Sequence, residues 1–109
     1  MKDNVDAHLA DLGRFTDIGL LVLLSLASGP KHGYAMIDDI AAFSGTALEP
    51  GTLYGALSRL ERQGWIAPLP VEERRRPYRL TSAGATALRR QFATLRRLVA
   101  TGARRLEPA

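Results

Sequence analysis

The chain has 109 residues, the size of one domain, and its 46% hydrophobic and 24% charged residues fit an ordinary globular fold. It contains no cysteine, which excludes disulfide scaffolds, cysteine-ligated zinc and thiol catalysis, and its longest near-apolar run, Ile18 to Ala27, is too short to span a bilayer. The net charge of +4 hides a split: residues 1–58 carry three bases against seven acids, and residues 59–109 carry twelve arginines against four acids. Such a second half suits a polyanion, most commonly nucleic acid, with a solvated basic helix as the alternative.

The acidic start, Met1-Lys2-Asp3-Asn4-Val5-Asp6, is not a signal peptide, so the cytoplasm is the expected compartment. Val5, Leu9 and Leu12 behind Asn4 suggest a short helix to Arg14. Thr16-Asp17 opens a stronger helix, Ile18 to Ser28, apolar nearly all round and therefore central. Gly29 and Pro30 stop it. The next helix runs from about Gly33 to Phe43, with Met36, Ile37, Ile40 and Ala41 on one face and a solvated Asp38-Asp39 pair on the other. A third begins at Pro50, suited to a first turn, and ends at Gly64, with Leu53, Leu57 and Leu60 inward.

Trp65 to Val71 reads as an edge strand because of Pro68 and Pro70, Glu72 to Arg76 as a charged turn and Pro77 to Leu80 as the returning strand. Thr81 caps a last helix from Ser82 to Leu106, roughly 37 Å long. Leu88, Phe92, Leu95 and Val99, continued by Gly102 and Leu106, repeat with the spacing of a coiled-coil seam. So small a domain cannot cover that helix, which predicts pairing with a second copy through these residues. The fold class is mainly α with a small β-hairpin: an extension (1–15), a winged helix-turn-helix (16–81) and a dimerisation helix with its tail (82–109).

In a winged helix-turn-helix the third helix enters a DNA major groove and the hairpin touches the flanking backbone. Opposite Leu53, Leu57 and Leu60 lie Gly51, Gly55, Ser58, Arg59 and Arg62, flanked by Thr52 and Tyr54. Small residues allow close approach to a surface, and the arginines suit phosphate or guanine. A weakly helical, solvated charged face would show the same residues.

Three stretches, Gly29-Pro30-Lys31-His32-Gly33-Tyr34, Pro50-Gly51-Thr52-Leu53-Tyr54-Gly55-Ala56-Leu57-Ser58-Arg59-Leu60-Glu61 and Arg75-Arg76-Pro77-Tyr78-Arg79-Leu80-Thr81-Ser82-Ala83-Gly84, resemble the PadR family of transcriptional regulators over about residues 17 to 100. The resemblance implies a dimeric winged-helix protein that binds double-stranded DNA, usually as a repressor, of the small subfamily with a single C-terminal dimer helix. It places Thr52 and Tyr54 at DNA-contacting positions. Lys31, His32 and Tyr34 lie at a helix start that favours phosphate. Ser58 and Arg59 follow on the recognition helix, Arg74, Arg75 and Arg76 form the wing tip, and Arg79 points outward. Leu60, Trp65, Ile66 and Leu80 belong to the core. A small-molecule effector between dimer helices would be lined by Leu88 and Phe92, the alternative being a filled seam.

Enzyme readings fail on chemistry. His8 and His32 are the only histidines, Asp38 and Asp39 diverge on a helix, and no nucleophile triad or phosphate-cradling glycine loop is present. No cofactor or metal is implied. The other reading is a winged-helix module that binds protein rather than DNA. It would need exposed apolar residues on the third helix, where glycines, Ser58 and arginines stand instead.

Overall fold

A computed structural model describes residues 17–108, so the suggested helix between Asn4 and Arg14 lies outside the described residues. Among the described residues, four helices and a three-stranded antiparallel sheet follow in the order α1 (Ile18–Ala27), β1 (Lys31–His32), α2 (Gly33–Ser44), α3 (Pro50–Arg62), β2 (Ile66–Pro68), β3 (Pro77–Leu80) and α4 (Ser82–Leu106). This is a winged helix-turn-helix with a long helix appended.

The helix ends follow from local chemistry. The Asp17 carboxylate accepts from the Gly19 amide at 2.9 Å and caps α1. Gly45 (φ 74°) ends α2, and Gly64 (φ 76°) follows α3, both in the left-handed region open to glycine. Helix α1 is the hub and touches α2, α3, α4 and β3. Its Leu21, Val22, Leu23 and Leu26 are buried with Met36 and Ile40 of α2, Leu53, Ala56, Leu57 and Leu60 of α3, and Ile66. Trp65 and Leu80 pack half-buried against this core.

Two expectations about α2 change. Ala41 is exposed, and Asp39 is exposed to solvent only at part of its surface, because it turns toward α1. Its Oδ2 accepts a 2.7 Å hydrogen bond from Ser25 Oγ, a fully buried hydroxyl on α1. A hydroxyl facing the core requires an acceptor, and Asp39 supplies it.

The sheet has one strand more than the hairpin read from sequence. Its order is β1-β3-β2, with Lys31 opposite Tyr78 and Ile66 opposite Leu80. Strand β2 lies at an edge and stops at Pro68. It is shorter than the expected Trp65 to Val71, and the nitrogens of Pro68 and Pro70 face the open edge, where no ladder amide is needed. One further bond, Leu69 N–H to Pro77 O, continues the pairing. At the tip, Glu72 and Arg75 exchange both backbone hydrogen bonds, at 2.7 and 2.8 Å. The two residues between them, Glu73 (φ 48°) and Arg74 (φ 69°), are both left-handed. That is the geometry of a two-residue hairpin turn that favours Asn-Gly.

Helix α4 joins the winged unit at a close contact. Thr81 Oγ1 donates to Gly64 O at 2.6 Å and accepts from Gly84 N at 3.0 Å, while Thr81 N donates to Trp65 O. A Cβ on Gly84 would stand 2.0 Å from Trp65 O, so the helix can approach the wing base this closely only with glycine at that position.

The strained tip yields a stability test. Replacing Glu73 with Asn and Arg74 with Gly should raise unfolding stability by about 1 kcal/mol, because both positions then match their backbone. Urea unfolding of the double variant measures it, and an unchanged or lower midpoint would contradict the turn assignment.

Candidate nucleic-acid interface

The amphipathic division of α3 creates a surface. Leu53, Ala56, Leu57 and Leu60 are buried, whereas Gly51, Thr52, Tyr54, Gly55, Ser58 and Arg59 are exposed. At Gly51 and Gly55 nothing lies within 4 Å of a Cβ position, so neither glycine is required by the fold's packing. Their effect is to lower the profile of the exposed face. Glu49 precedes the helix without a side-chain capping bond, and Pro50 fills the first turn. The first-turn amides of Gly51 and Thr52 therefore have no acceptor from the Glu49 side chain, an arrangement suited to an anion.

Tyr54 ties this face to the start of α2. A Cβ on Gly33 would stand 2.7 Å from the Tyr54 hydroxyl oxygen and 3.3 Å from Leu53 Cδ2. Gly33 is buried and makes room for the phenol, while Tyr54 stays 47% exposed. Sequence reading assigns Tyr54 a surface role but misses this contact, whose signal is the glycine directly before Tyr34.

The residues at the start of α2 separate into different environments. Lys31 Nζ donates to the Ser25 carbonyl, to Ser28 Oγ at 2.6 Å and to Gly29 O at 3.3 Å. Its charge thus sits at the C-terminal end of α1, where the helix dipole favours a cation. His32 is the N-cap of α2, its Nδ1 accepting from Ala35 N at 3.3 Å. Tyr34 is 57% exposed, and the Arg75 guanidinium lies over its ring with Cζ 6.0 Å from the centroid. Arg75 Nη1 is also 3.2 Å from His32 Nε2. The wing tip is therefore folded toward α2. Arg76 Nη1 donates to Leu69 O at 2.9 Å within the wing, and Arg74 and Arg79 are exposed.

The seam residues of α4 also fall into two groups. Leu88 is 5% exposed and belongs to the core of its own domain. The heptad spacing that placed it in a dimer seam cannot distinguish its own domain from a partner as the covering surface. Phe92 packs half-buried against the core, Leu95 is half-buried, and Val99 is 71% exposed. Further along, Leu106 is 86% exposed. Leu88 and Phe92 line different hollows. Leu88 faces one shared by α1, α3 and α4 with Asp17, Arg59 and Trp65. Phe92 faces a trough on α4 with Leu95, Arg96, Val99 and Ala100.

Tyr78, at the centre of the sheet, has its phenol held above the usual value of 10, first by burial and next by Glu61; Tyr54 adds to the shift and Arg76 opposes it. The folded state holds this proton more tightly than the unfolded chain does. The associated stability is present below pH about 10 and lost as pH rises through the folded-state value. Tyr78→Phe should therefore flatten the alkaline limb of a stability–pH profile measured by urea unfolding. Equal alkaline slopes in both proteins would contradict it.

A family model described as the transcriptional regulator PadR-like family matches residues 21–90. An uncharacterized 37.1 kDa protein in transposon TN4556 of Streptomyces fradiae is 47% identical over 85 residues. The match covers 78% of this chain and 25% of that protein, so this chain spans about a quarter of its length. Among solved structures, a PadR family transcriptional regulator from Eggerthella lenta is 32% identical with a TM-score of 0.75. The match covers 99% of this chain and 96% of that one. Bacillus subtilis PadR in complex with operator DNA is 19% identical with a TM-score of 0.61, over 71% of this chain and 47% of its own; it shares the fold.

Proposed function

This chain belongs to the PadR-like family of transcriptional regulators, and we propose that it acts as a homodimeric repressor that reads a pseudo-palindromic operator in double-stranded DNA. The observation that carries this reading is the exposed face of α3. Gly51, Thr52, Gly55, Ser58 and Arg59 stand clear of the core, and a wing with three arginines at its tip lies alongside. Small residues admit the helix to a groove, and arginines meet phosphate or a guanine edge. Bacillus subtilis PadR, which shares the fold, forms a complex with operator DNA, and this supports the reading. A protein-docking face would need aliphatic side chains where these residues stand.

Within this reading Thr52, Tyr54, Ser58 and Arg59 approach the bases, while His32, Tyr34, Arg74, Arg75, Arg76 and Arg79 hold the backbone. Lys31 acts indirectly by fixing the end of α1 beside the start of α2. The dimer forms through Phe92, Leu95 and Val99, with Leu88 anchoring the helix to its own domain. The trough lined by Phe92, Leu95 and Val99 is then the seam that the partner helix fills, and a small-molecule effector would bind beside Phe92 only where the paired helices leave that seam open.

Two measurements test the proposal. Leu95→Asp should convert the dimer to monomer in sedimentation, because a charge in the seam costs several kcal/mol, ~3 or more. A monomeric wild type at micromolar concentration would contradict the dimer. Competition binding with operator and scrambled duplex separates the two surfaces. Changing Arg74 and Arg76 to Ala should weaken both duplexes alike and reduce the log–log salt slope by about one unit per lost phosphate contact. Ser58→Leu should weaken the operator selectively, since it blocks close approach of α3. The reverse pattern would mean that the surfaces are exchanged.

A further inference from the structure

At the exposed contact between His32 and Arg75 no protein acceptor stands between two side chains that meet donor to donor. A neutral imidazole has one N–H and one acceptor nitrogen. Its Nδ1 accepts from Ala35 N as the cap of α2, so the proton belongs on Nε2. Nε2–H then faces Arg75 Nη1, 3.2 Å away, and a guanidinium has donors only. Two donors point at one another. The other tautomer would let Arg75 donate to Nε2 but would place Nδ1–H against the Ala35 amide and break the cap. An acceptor placed against both Nε2–H and the guanidinium satisfies all three groups at once.

We infer that His32 and Arg75 form a phosphate clamp, closed on itself in the free protein and opened by one phosphodiester oxygen of the duplex. The inference rests on the DNA-binding reading and adds to it the role of each donor. Tyr34 supplies the resting place: its ring carries the Arg75 guanidinium in the free state, holding the wing tip over α2. His32 does two things in the bound state, capping α2 through Nδ1 and donating to phosphate through Nε2. Arg75 directly follows the two-residue turn of Glu73 and Arg74, so it stands at the end of the wing that faces His32. Glu72 and Glu73 line the same hollow with His32, Arg75 and Pro77. A carboxylate of the chain itself is thus the competing acceptor.

The test uses the full chain. His32→Asn preserves a good N-cap and removes the Nε2 donor, so it separates capping from clamping. It should leave the melting temperature unchanged and weaken duplex binding about tenfold, the scale of a hydrogen bond to a charged group. The salt slope should stay the same, because a neutral donor displaces no counterion. Arg75→Ala should weaken binding and lower the slope by about one. Since both donors serve one phosphate, the double variant should bind no more weakly than Arg75→Ala alone.

Nitrogen-15 spectra of the histidine rings should give the Nε2–H tautomer for His32. Its Nε2 resonance should move on adding duplex or inorganic phosphate. Wild-type affinity for His32→Asn, or multiplicative losses in the double variant, would overturn the clamp while leaving the DNA-binding reading intact. If Glu72→Gln or Glu73→Gln without any duplex moves the His32 resonances as far as duplex does, the acceptor is intramolecular and the clamp is wrong. A wild type that binds no duplex at low salt would refute the DNA-binding reading, and the phosphate titration would then decide the clamp alone.

Discussion

The contact between the first turn of α4 and the carbonyl of Trp65 sets the geometry of the whole molecule. It exists because residue 84 has no side chain: any Cβ there would overlap Trp65 O. Thr81 closes the same junction, with its hydroxyl bridging Gly64 O and Gly84 N. Three elements meet at that point, namely the residues that end α3, the base of the wing and the start of the long helix. Four residues on, Leu88 inserts into the domain core and fixes the rotation of α4 about its axis. Buried apolar packing of this kind resists rotation because interiors are close to crystal density. The direction of the exposed apolar stripe of α4 is therefore determined relative to the exposed face of α3.

The side formed by the exposed face of α3 and the wing follows a different logic. There α3 begins without a side-chain cap, the wing turn holds two non-glycine residues at positive φ, and the exposed Arg75 guanidinium faces the His32 ring nitrogen. The positive-φ turn costs free energy in the isolated chain, whereas the exposed donors are solvated and, in the proposed function, would exchange water for phosphate. The core side contrasts with this. There the buried Ser25 has Asp39, and the ammonium of Lys31 has the carbonyls that end α1. Side-chain hydrogen bonds thus lock the α1–α2 packing, while the exposed face of α3 and the wing tip keep donors open to solvent.

Much of this is legible in the sequence. Gly45, Gly64 and Pro50 mark helix boundaries because their backbone preferences act locally, and Pro68 marks a sheet edge for the same reason. Strand β1 is not legible, since two residues carry no periodicity and its partner lies more than forty positions away. Lys31 looks like a free base beside a helix start, because nothing in its immediate sequence reveals that its ammonium folds back onto α1. Leu88 matches a heptad as well as Val99 does; only the approach of α4 to the core separates them. Asp39 reads as solvated because its partner, Ser25, is fourteen residues distant.

The central claim is that a fixed junction holds two recognition helices of a dimer at one separation. Selection of bound sequences from a randomised duplex library measures that separation directly, whatever the operator sequence. The proposed dimer predicts inverted repeats whose half-site centres share a single spacing, one helical turn of roughly 34–36 Å or a multiple of it. Recovery of lone asymmetric sites, or of inverted repeats at many spacings, would contradict it.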